Sequence, residues 1–108
     1  MRLILDNLPK ISLNAWYSGG HWSKRTKIKE LYKWSIKAQT KVKFSKHDKY
    51  HVEYQFEFKG KPLDASNTVA MVKMIEDILF EDDKWDIVLS VKMSSVKSDK
   101  DRVTIIIN

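Results

Sequence analysis

The segment KYHVEYQFEFK, residues 49–59, constrains the fold more than any other part of the chain. Apolar and polar residues alternate in it without interruption, as they do along a half-buried strand. One face of that strand carries Tyr50, Val52, Tyr54, Phe56 and Phe58. The opposite face carries His51, Glu53, Gln55, Glu57 and Lys59. The segment therefore predicts a strand that lies against a core on one side and faces solvent on the other.

Two segments before this strand predict further elements. RLIL is a short strand candidate, and ISLNAWYSGGHW indicates a strand and then a loop with Gly19 and Gly20 at its tip. From Ser23, a possible N-cap, the residues up to Phe44 predict a basic amphipathic helix. Its positions at helical spacing are Ile28, Leu31, Tyr32, Ser35 and Ala38.

Three segments after it complete the predicted fold. Ser66 or Asn67 can cap a second helix, which runs to about Phe80 with Val69, Val72, Ile75, Ile78 and Leu79 as its apolar positions. WDIVLSVKM and RVTIII read as two closing strands joined by the polar loop SSVKSDKD, and the run of three isoleucines suits a central strand. We predict one α/β domain over residues 1–108, with a mixed sheet packed by two principal helices.

Composition excludes several classes of protein. The chain has no cysteine, so it forms no disulfide and no thiolate metal site. It has no run of eighteen apolar residues that would span a membrane. With 43% hydrophobic residues it is too rich in core formers to be disordered. We therefore expect a folded cytoplasmic protein without a membrane partner.

Charge is distributed very unevenly along the chain. The formal net charge is +6, which favours a polyanionic partner, with nucleic acid first and an acidic membrane surface second. Residues 21–49 hold ten of the twenty Lys and Arg residues, whereas residues 62–86 hold seven of the fourteen acids. The basic residues that we expect to contact phosphates are Lys24, Arg25, Lys27, Lys29, Lys33 and Lys37. A solvated helix face is the alternative interpretation of these residues.

The acid-rich part of the chain allows a metal site. Asp64 precedes the second predicted helix, and Asp82 and Asp83 follow it, so they converge only if the next strand runs back beside the helix. Mg²⁺ binds one or two carboxylates together with waters and substrate phosphate oxygens, which would let acids face a polyanion. The alternative is that these acids are solvated surface charges, and an acidic patch that binds a basic protein partner is a third possibility.

The order of these motifs resembles that of the RusA-like Holliday-junction resolvases. PLDASN, a helix with Lys73 and Asp77, and the EDD before a strand resemble that family's Asp-x-Asp-Asn turn, lysine-bearing helix and Asp-Asp pair. LPKISLNAWYSGGHWSKRTKIKELY is similar to its N-terminal pattern of a proline, a Ser-x-Asn, a loop and a basic helix. The resemblance covers most of the chain in matching order.

The resemblance implies a Mg²⁺-dependent endonuclease that acts as a homodimer in DNA recombination and repair, making paired cuts in four-way junctions. By position, Asp64 and Asn67 match the first Asp and the Asn of the family's turn, and Asp82 and Asp83 match the later pair. The resemblance implies Asp64, Asp82 and Asp83 as metal ligands, with Asp77 as a substitute ligand, and Asn67 as a DNA contact. Asp64, Asp83 and Lys73 are the expected catalytic residues. Ser66 stands where the family has a second Asp, and Ala70 stands where it has the Lys. These differences favour the alternative of a branched-DNA-binding protein that has lost catalysis.

Aromatic residues and histidines give weaker signals. Trp16, Tyr17 and Trp22 flank the glycine pair and can stack on an unpaired base, although a role in the core is the commoner one for such residues. The three histidines show no metal-ligand spacing.

Overall fold

A computed structural model describes residues 1–18 and 22–108, which form four strands and three α-helices in chain order. These elements are β1 (Arg2–Asp6), α1 (Leu13–Ser18), α2 (Trp22–Gln39), β2 (Tyr50–Phe58), α3 (Val69–Leu79), β3 (Val88–Lys97) and β4 (Arg102–Ile107). One turn of 3₁₀ helix, Ala65–Thr68, leads directly into α3. None of the helices in the described part of the chain is long and apolar enough to cross a bilayer.

The four strands form one sheet in the order β1-β4-β2-β3. β4 is antiparallel to both of its neighbours, whereas β2 and β3 are parallel, with α3 in the connection between them. This mixed sheet with two long helices confirms the predicted α/β class. The isoleucine run lies in β4, an inner strand of the sheet, as the sequence predicted.

The core lies between the sheet and the helices. The apolar face of β2 is buried as predicted, with Tyr54 and Phe56 exposed by no more than 1%. α2 contributes Tyr32 and Ile36 to this core, and α3 contributes Ile75 among others. Although Tyr32 is buried, its hydroxyl donates a hydrogen bond to the carbonyl of Pro9. The core is therefore formed on the helix-facing side of the sheet.

The other face of the sheet is polar, as the alternation in β2 predicted. His51 is exposed there, and its ring nitrogen Nδ1 lies 2.6 Å from the Ser90 hydroxyl of β3. On the same face, at the β1 edge of the sheet, the Arg102 Nε lies 2.6 Å from the Asp6 carboxylate across the β1–β4 pair. The hydrogen bond from Arg102 lowers the pKa of Asp6.

One predicted element was wrong. Residues 11–18 do not begin with a strand, because α1 starts at Leu13. The Ser12 hydroxyl accepts the backbone N–H of Ala15 at 3.0 Å, and the Ser12 carbonyl accepts that of Trp16 at 2.9 Å, so Ser12 satisfies the helix start. The predicted glycine tip, His21 and the side chains of Tyr17 and Trp22 lie outside the described residues.

Two element ends also differ from prediction. α2 ends at Gln39, not near Phe44, and Phe44 instead forms an isolated bridge with Phe80. β3 continues through Lys97, four residues into the predicted loop, because its pairing with β2 extends to Phe58. On α2, Ile36 is buried, while Leu31 and Ala38, which the helical spacing had suggested for the inner side, are exposed.

Candidate site at the end of helix α3

The parallel pairing of β2 and β3 explains where the acids lie. Tyr50 pairs with Val88, so the two strands start at the same end of the sheet and the segments before them lie together. We call residues 40–49 the basic segment and residues 80–87 the acidic connector. The backbone N–H of Phe44 donates to the Leu79 carbonyl at 2.7 Å, and that of Glu81 donates to the Phe44 carbonyl at 2.9 Å. Parts of the lysine-rich and acid-rich regions are therefore in direct contact.

Aromatic packing reinforces this contact. The rings of Phe44 and Phe80 are 4.9 Å apart between centroids, and the Tyr50 ring lies 5.5 Å from Phe44 and 5.3 Å from Phe80. The Tyr50 hydroxyl donates to the carbonyl of Ser45 at 2.9 Å. The three rings fasten the acidic connector to the basic segment and to the start of β2.

Two lysines of the basic segment bind backbone groups near the acids. The Lys43 Nζ donates to the Ile78 carbonyl at 2.9 Å, at the end of α3 where helix carbonyls attract cations. The Lys49 Nζ donates to the Asp86 carbonyl, also at 2.9 Å. In the described residues, neither lysine forms an ion pair with a carboxylate of the connector. Those carboxylates are therefore not neutralised by direct pairing with these two lysines.

Glu76 is a buried residue in the last turn of α3. Its side chain is 6% exposed, and its Oε1 accepts the Tyr54 hydroxyl at 3.3 Å. Burial raises the pKa of Glu76 to about 7, and the charge of Asp83 and a hydrogen bond with its carboxyl also raise it. The hydrogen bond from Tyr54 and the charge of Lys73 lower this pKa. Burial is the largest of these causes, so Glu76 binds its proton more tightly than an exposed glutamate does.

Asp77 is the neighbouring acid on α3. Partial loss of solvent raises the pKa of Asp77, and the charge of Asp83 raises it further. Lys29 of α2 and Lys73, one turn earlier on α3, lower it. We call Glu76, Asp77 and Asp83 the carboxyl cluster. Asp77 and Asp83 are solvent-exposed and are therefore accessible to a ligand.

Asp77 also lines a groove between the helices. Its volume is about 210 Å³, and its lining includes Trp16 of α1, Lys29 of α2, and Lys73 and Asp77 of α3. The guanidinium of Arg25 and the Nζ of Lys29 lie 5.6 and 5.9 Å from the centre of the Trp16 ring. Trp16 is partly buried against the core, as predicted. Its ring also contacts these two cations.

The remaining predicted site residues lie elsewhere. Asp64 is exposed in front of the 3₁₀ turn, where its carbonyl accepts the Asn67 N–H at 2.8 Å. Asp64 is absent from the charges that act on Glu76 and Asp77. The Asp82 carboxylate accepts the Lys84 N–H at 3.1 Å and lies 3.6 Å from the Lys84 Nζ. The charges of Asp83 and Lys73 therefore shift the pKa values of both Glu76 and Asp77, whereas Asp64 is not among the charges that do so.

The six predicted phosphate-binding residues all lie on α2. Five are exposed lysines, and Arg25 is partly buried beside Trp16. They are Lys24, Arg25, Lys27, Lys29, Lys33 and Lys37.

A metal ion fits this site only with a small ligand set. In residues 1–18 and 22–108, no three acidic or histidine side chains are grouped so that they could hold a metal. Mg²⁺ often takes only one or two carboxylates and completes its shell with water and phosphate oxygens. Asp77 and Asp83 satisfy that smaller requirement, whereas the set of Asp64, Asp82 and Asp83 is not assembled around one point.

Sequence reasoning missed Glu76 as a site residue. The signal was present in the helical spacing, because Glu76 follows Val72 by four residues and precedes Leu79 by three. An acid on the apolar side of an amphipathic helix must find a partner or a proton.

A model of an uncharacterised domain family matches residues 14–106, and the chain belongs to that family. This match spans all of the elements described above except β1 and the ends of α1 and β4. Searches of curated proteins and of solved structures gave no match to this chain.

Proposed function

We propose that the protein is a Mg²⁺-dependent endonuclease that cuts four-way DNA junctions, as the resemblance to RusA-like resolvases implies. The observation that supports this best is the carboxyl cluster beside Lys29 and Lys73, at a groove below the basic helix α2. Acids from α3 and from the acidic connector meet there, within reach of cations from two helices. That combination suits a phosphate group held near a divalent cation.

The lysines of α2 form the DNA surface in this proposal. They point outward along a helix that borders the groove, and lysine acts on phosphate as a point charge without reading bases. Binding is then selective for the shape of the junction rather than for its sequence. Lys29 belongs to both the helix surface and the groove, and so connects bound DNA to the carboxyl cluster.

The residues of the cluster have separate roles. Asp77 and Asp83 would hold Mg²⁺, which supplies charge stabilisation at the phosphate and a water of lowered pKa. Lys73 stands beside both acids of α3 and neutralises charge on the phosphate. Glu76 binds its proton more tightly than an exposed glutamate does, and it lies close enough to the Asp83 carboxyl to help position it. We also propose a homodimer in the cytoplasm, because two equivalent sites make paired cuts most simply.

The test is cleavage of a labelled four-way junction with Mg²⁺ and with EDTA. We expect cuts only with Mg²⁺, and we expect Asp77→Asn and Asp83→Asn to lose cleavage while junction binding persists or tightens, because repulsion of phosphate falls. Asp99→Asn is the matched control, since the Asp99 side chain is 88% exposed in the turn before β4. Equal cleavage by the control and by both cluster variants would remove the cluster from the mechanism.

A branched-DNA-binding protein without catalysis is the second candidate. Ser66 and Ala70 at two family positions favour it, as does the position of Asp64 outside the carboxyl cluster. Ser66→Asp restores the missing carboxylate in the same cleavage assay. If the unmodified protein and Ser66→Asp both bind junctions and neither cuts at any Mg²⁺ concentration, the binding protein replaces the endonuclease.

A further inference from the structure

Trp85 is the most exposed large apolar side chain among the described residues, at 87% of its surface. It lies in the acidic connector, two positions after Asp83, at the tip of the turn that leads into β3. Most tryptophans in folded proteins bury much of their large apolar surface. Trp85 therefore contributes little to the core, and its exposed indole is accessible to a binding partner.

The backbone around Trp85 is held by several hydrogen bonds. The Lys84 N–H donates to the Asp82 carboxylate at 3.1 Å. The N–H groups of Ile87 and Val88 donate to the Lys84 carbonyl at 2.9 and 3.0 Å. The Lys49 Nζ donates to the Asp86 carbonyl at 2.9 Å. The turn therefore presents the indole from a fixed backbone, which reduces the entropy that binding would cost.

Charged side chains of both signs lie near this tip, with Asp86 directly after Trp85 and lysines close by. The Lys84 side chain is 70% exposed next to Trp85, and the exposed Lys46 and Lys49 belong to the basic segment that packs against the connector. A flat exposed aromatic face with lysines beside it suits a partner that is both anionic and planar. Unstacked nucleic-acid bases have these properties, and base stacking on an aromatic side chain contributes about 1–3 kcal/mol per base.

We propose that Trp85 stacks on an unstacked base at the branch point of DNA, close to the carboxyl cluster. This inference rests on the proposed function, because it assumes that the protein binds branched DNA. It adds a binding residue and assigns it a specific task. The lysines hold DNA of any shape, whereas Trp85 distinguishes a branch point, where a base face is accessible, from a continuous duplex.

Four variants test the proposal by fluorescence anisotropy in EDTA, which separates binding from cleavage. The ligands are a four-way junction and a linear duplex of equal length. Trp85→Ala should weaken junction binding by roughly 5- to 150-fold and leave duplex binding unchanged. Trp85→Phe should retain most of the affinity. Trp85→Leu should resemble Trp85→Ala, since it keeps apolar bulk but has no aromatic face. Ile4→Ala removes an exposed apolar side chain from the far edge of the sheet and should bind like the unmodified protein.

A fluorescent base at the branch point gives a second measurement. 2-Aminopurine there should be quenched by the unmodified protein and by Trp85→Phe, but not by Trp85→Ala. Equal junction affinity of the unmodified protein and Trp85→Ala would overturn the stacking role alone. Full affinity of Trp85→Leu would show an apolar contact instead, and loss of a dimer by Trp85→Ala in light scattering would identify an interface between two copies. Failure of the unmodified protein to bind either DNA would instead overturn the proposed function, and the stacking role with it.

Discussion

Glu76 is buried on the side of α3 that carries Val72 and Leu79. Its polar neighbours are the Tyr54 hydroxyl and the Asp83 carboxyl. Its environment consists of Tyr54 from β2, Asp83 from the acidic connector and Lys73 from its own helix. Because desolvation is the largest cause of the raised pKa, the folded protein favours the protonated form of this side chain. The fold is therefore coupled to the protonation of one residue.

This coupling predicts a pH dependence of stability. Glu76 binds its proton more tightly in the folded protein, where the pKa is about 7, than in the unfolded chain, where it is near 4.5. Its contribution is fully present below the lower pKa and declines as pH rises through this interval. The free energy of unfolding should thus fall by about 3 kcal/mol between pH 4.5 and 7.5 from this residue, measured by urea denaturation.

Glu76→Gln tests this prediction, because the amide keeps the size of the side chain and does not titrate. The variant should lack this part of the pH dependence and should be more stable than the unmodified protein at pH 8. Glu81→Gln is the control, since Glu81 is an exposed acid of the acidic connector. Parallel pH profiles of Glu76→Gln and the unmodified protein would show that Glu76 does not retain the proton.

Single residues of the site were predictable to different degrees. Lys73 and Asp77 are four positions apart on a helix, so their proximity follows from the sequence. The approach of Asp83 to α3 does not, because it depends on how the chain turns between Phe80 and Val88. That turn is fixed by contacts with Phe44 and Tyr50, which are distant in sequence from the acids.

At the scale of elements, the contact between the basic segment and the acidic connector rests on three aromatic rings. Phe80 is 3% exposed and touches both of the other rings. Removing it leaves a cavity where α3 passes into the connector. We expect Phe80→Ala to lower the free energy of unfolding by about 3–5 kcal/mol, measured by chemical denaturation.

Phe80→Leu is the matched variant, because it fills most of the cavity and should cost clearly less. If the ring cluster positions Asp83, Phe80→Ala should also lower the pKa of Glu76, which NMR titration of the side-chain carboxyl measures. A destabilised Phe80→Ala protein with an unchanged Glu76 pKa would show that Asp83 is positioned by other contacts.

Elements with a clear hydrophobic pattern were predicted well. Elements whose ends depend on a local cap or on pairing with a distant strand were not. β2 and β4 followed from alternation and from a continuous apolar run. α1 was missed because its six residues are too few to show a helical period, and its start depends on Ser12. The last residues of β3 look like loop in the sequence, since Ser94, Ser95 and Lys97 become strand only through pairing with β2.

At the scale of the whole molecule, the net charge is +6, and α2 and the basic segment together hold ten of the twenty Lys and Arg residues. We expect binding to a four-way junction to weaken steeply as salt rises, because each lysine–phosphate contact releases counterions. The slope of log affinity against log salt should be roughly −0.9 for each contact, measured by anisotropy in EDTA.

Lys33→Gln and Lys37→Gln together should make this slope less negative by about two. Lys92→Gln is the control, because Lys92 lies on β3 with the polar face of the sheet. A slope near zero for the unmodified protein, or an equal change in the control, would move the DNA surface away from α2.

The strand order has a consequence for the time course of folding. β1 is synthesised first, yet its partner β4 follows roughly a hundred residues later in the chain. β4 lies between β1 and β2, so β1 and one edge of β2 wait for their partner strand until β4 has been synthesised. Until β4 pairs with them, the backbone N–H and C=O groups along these two edges are open to other strands, and closure of the sheet is a single late event.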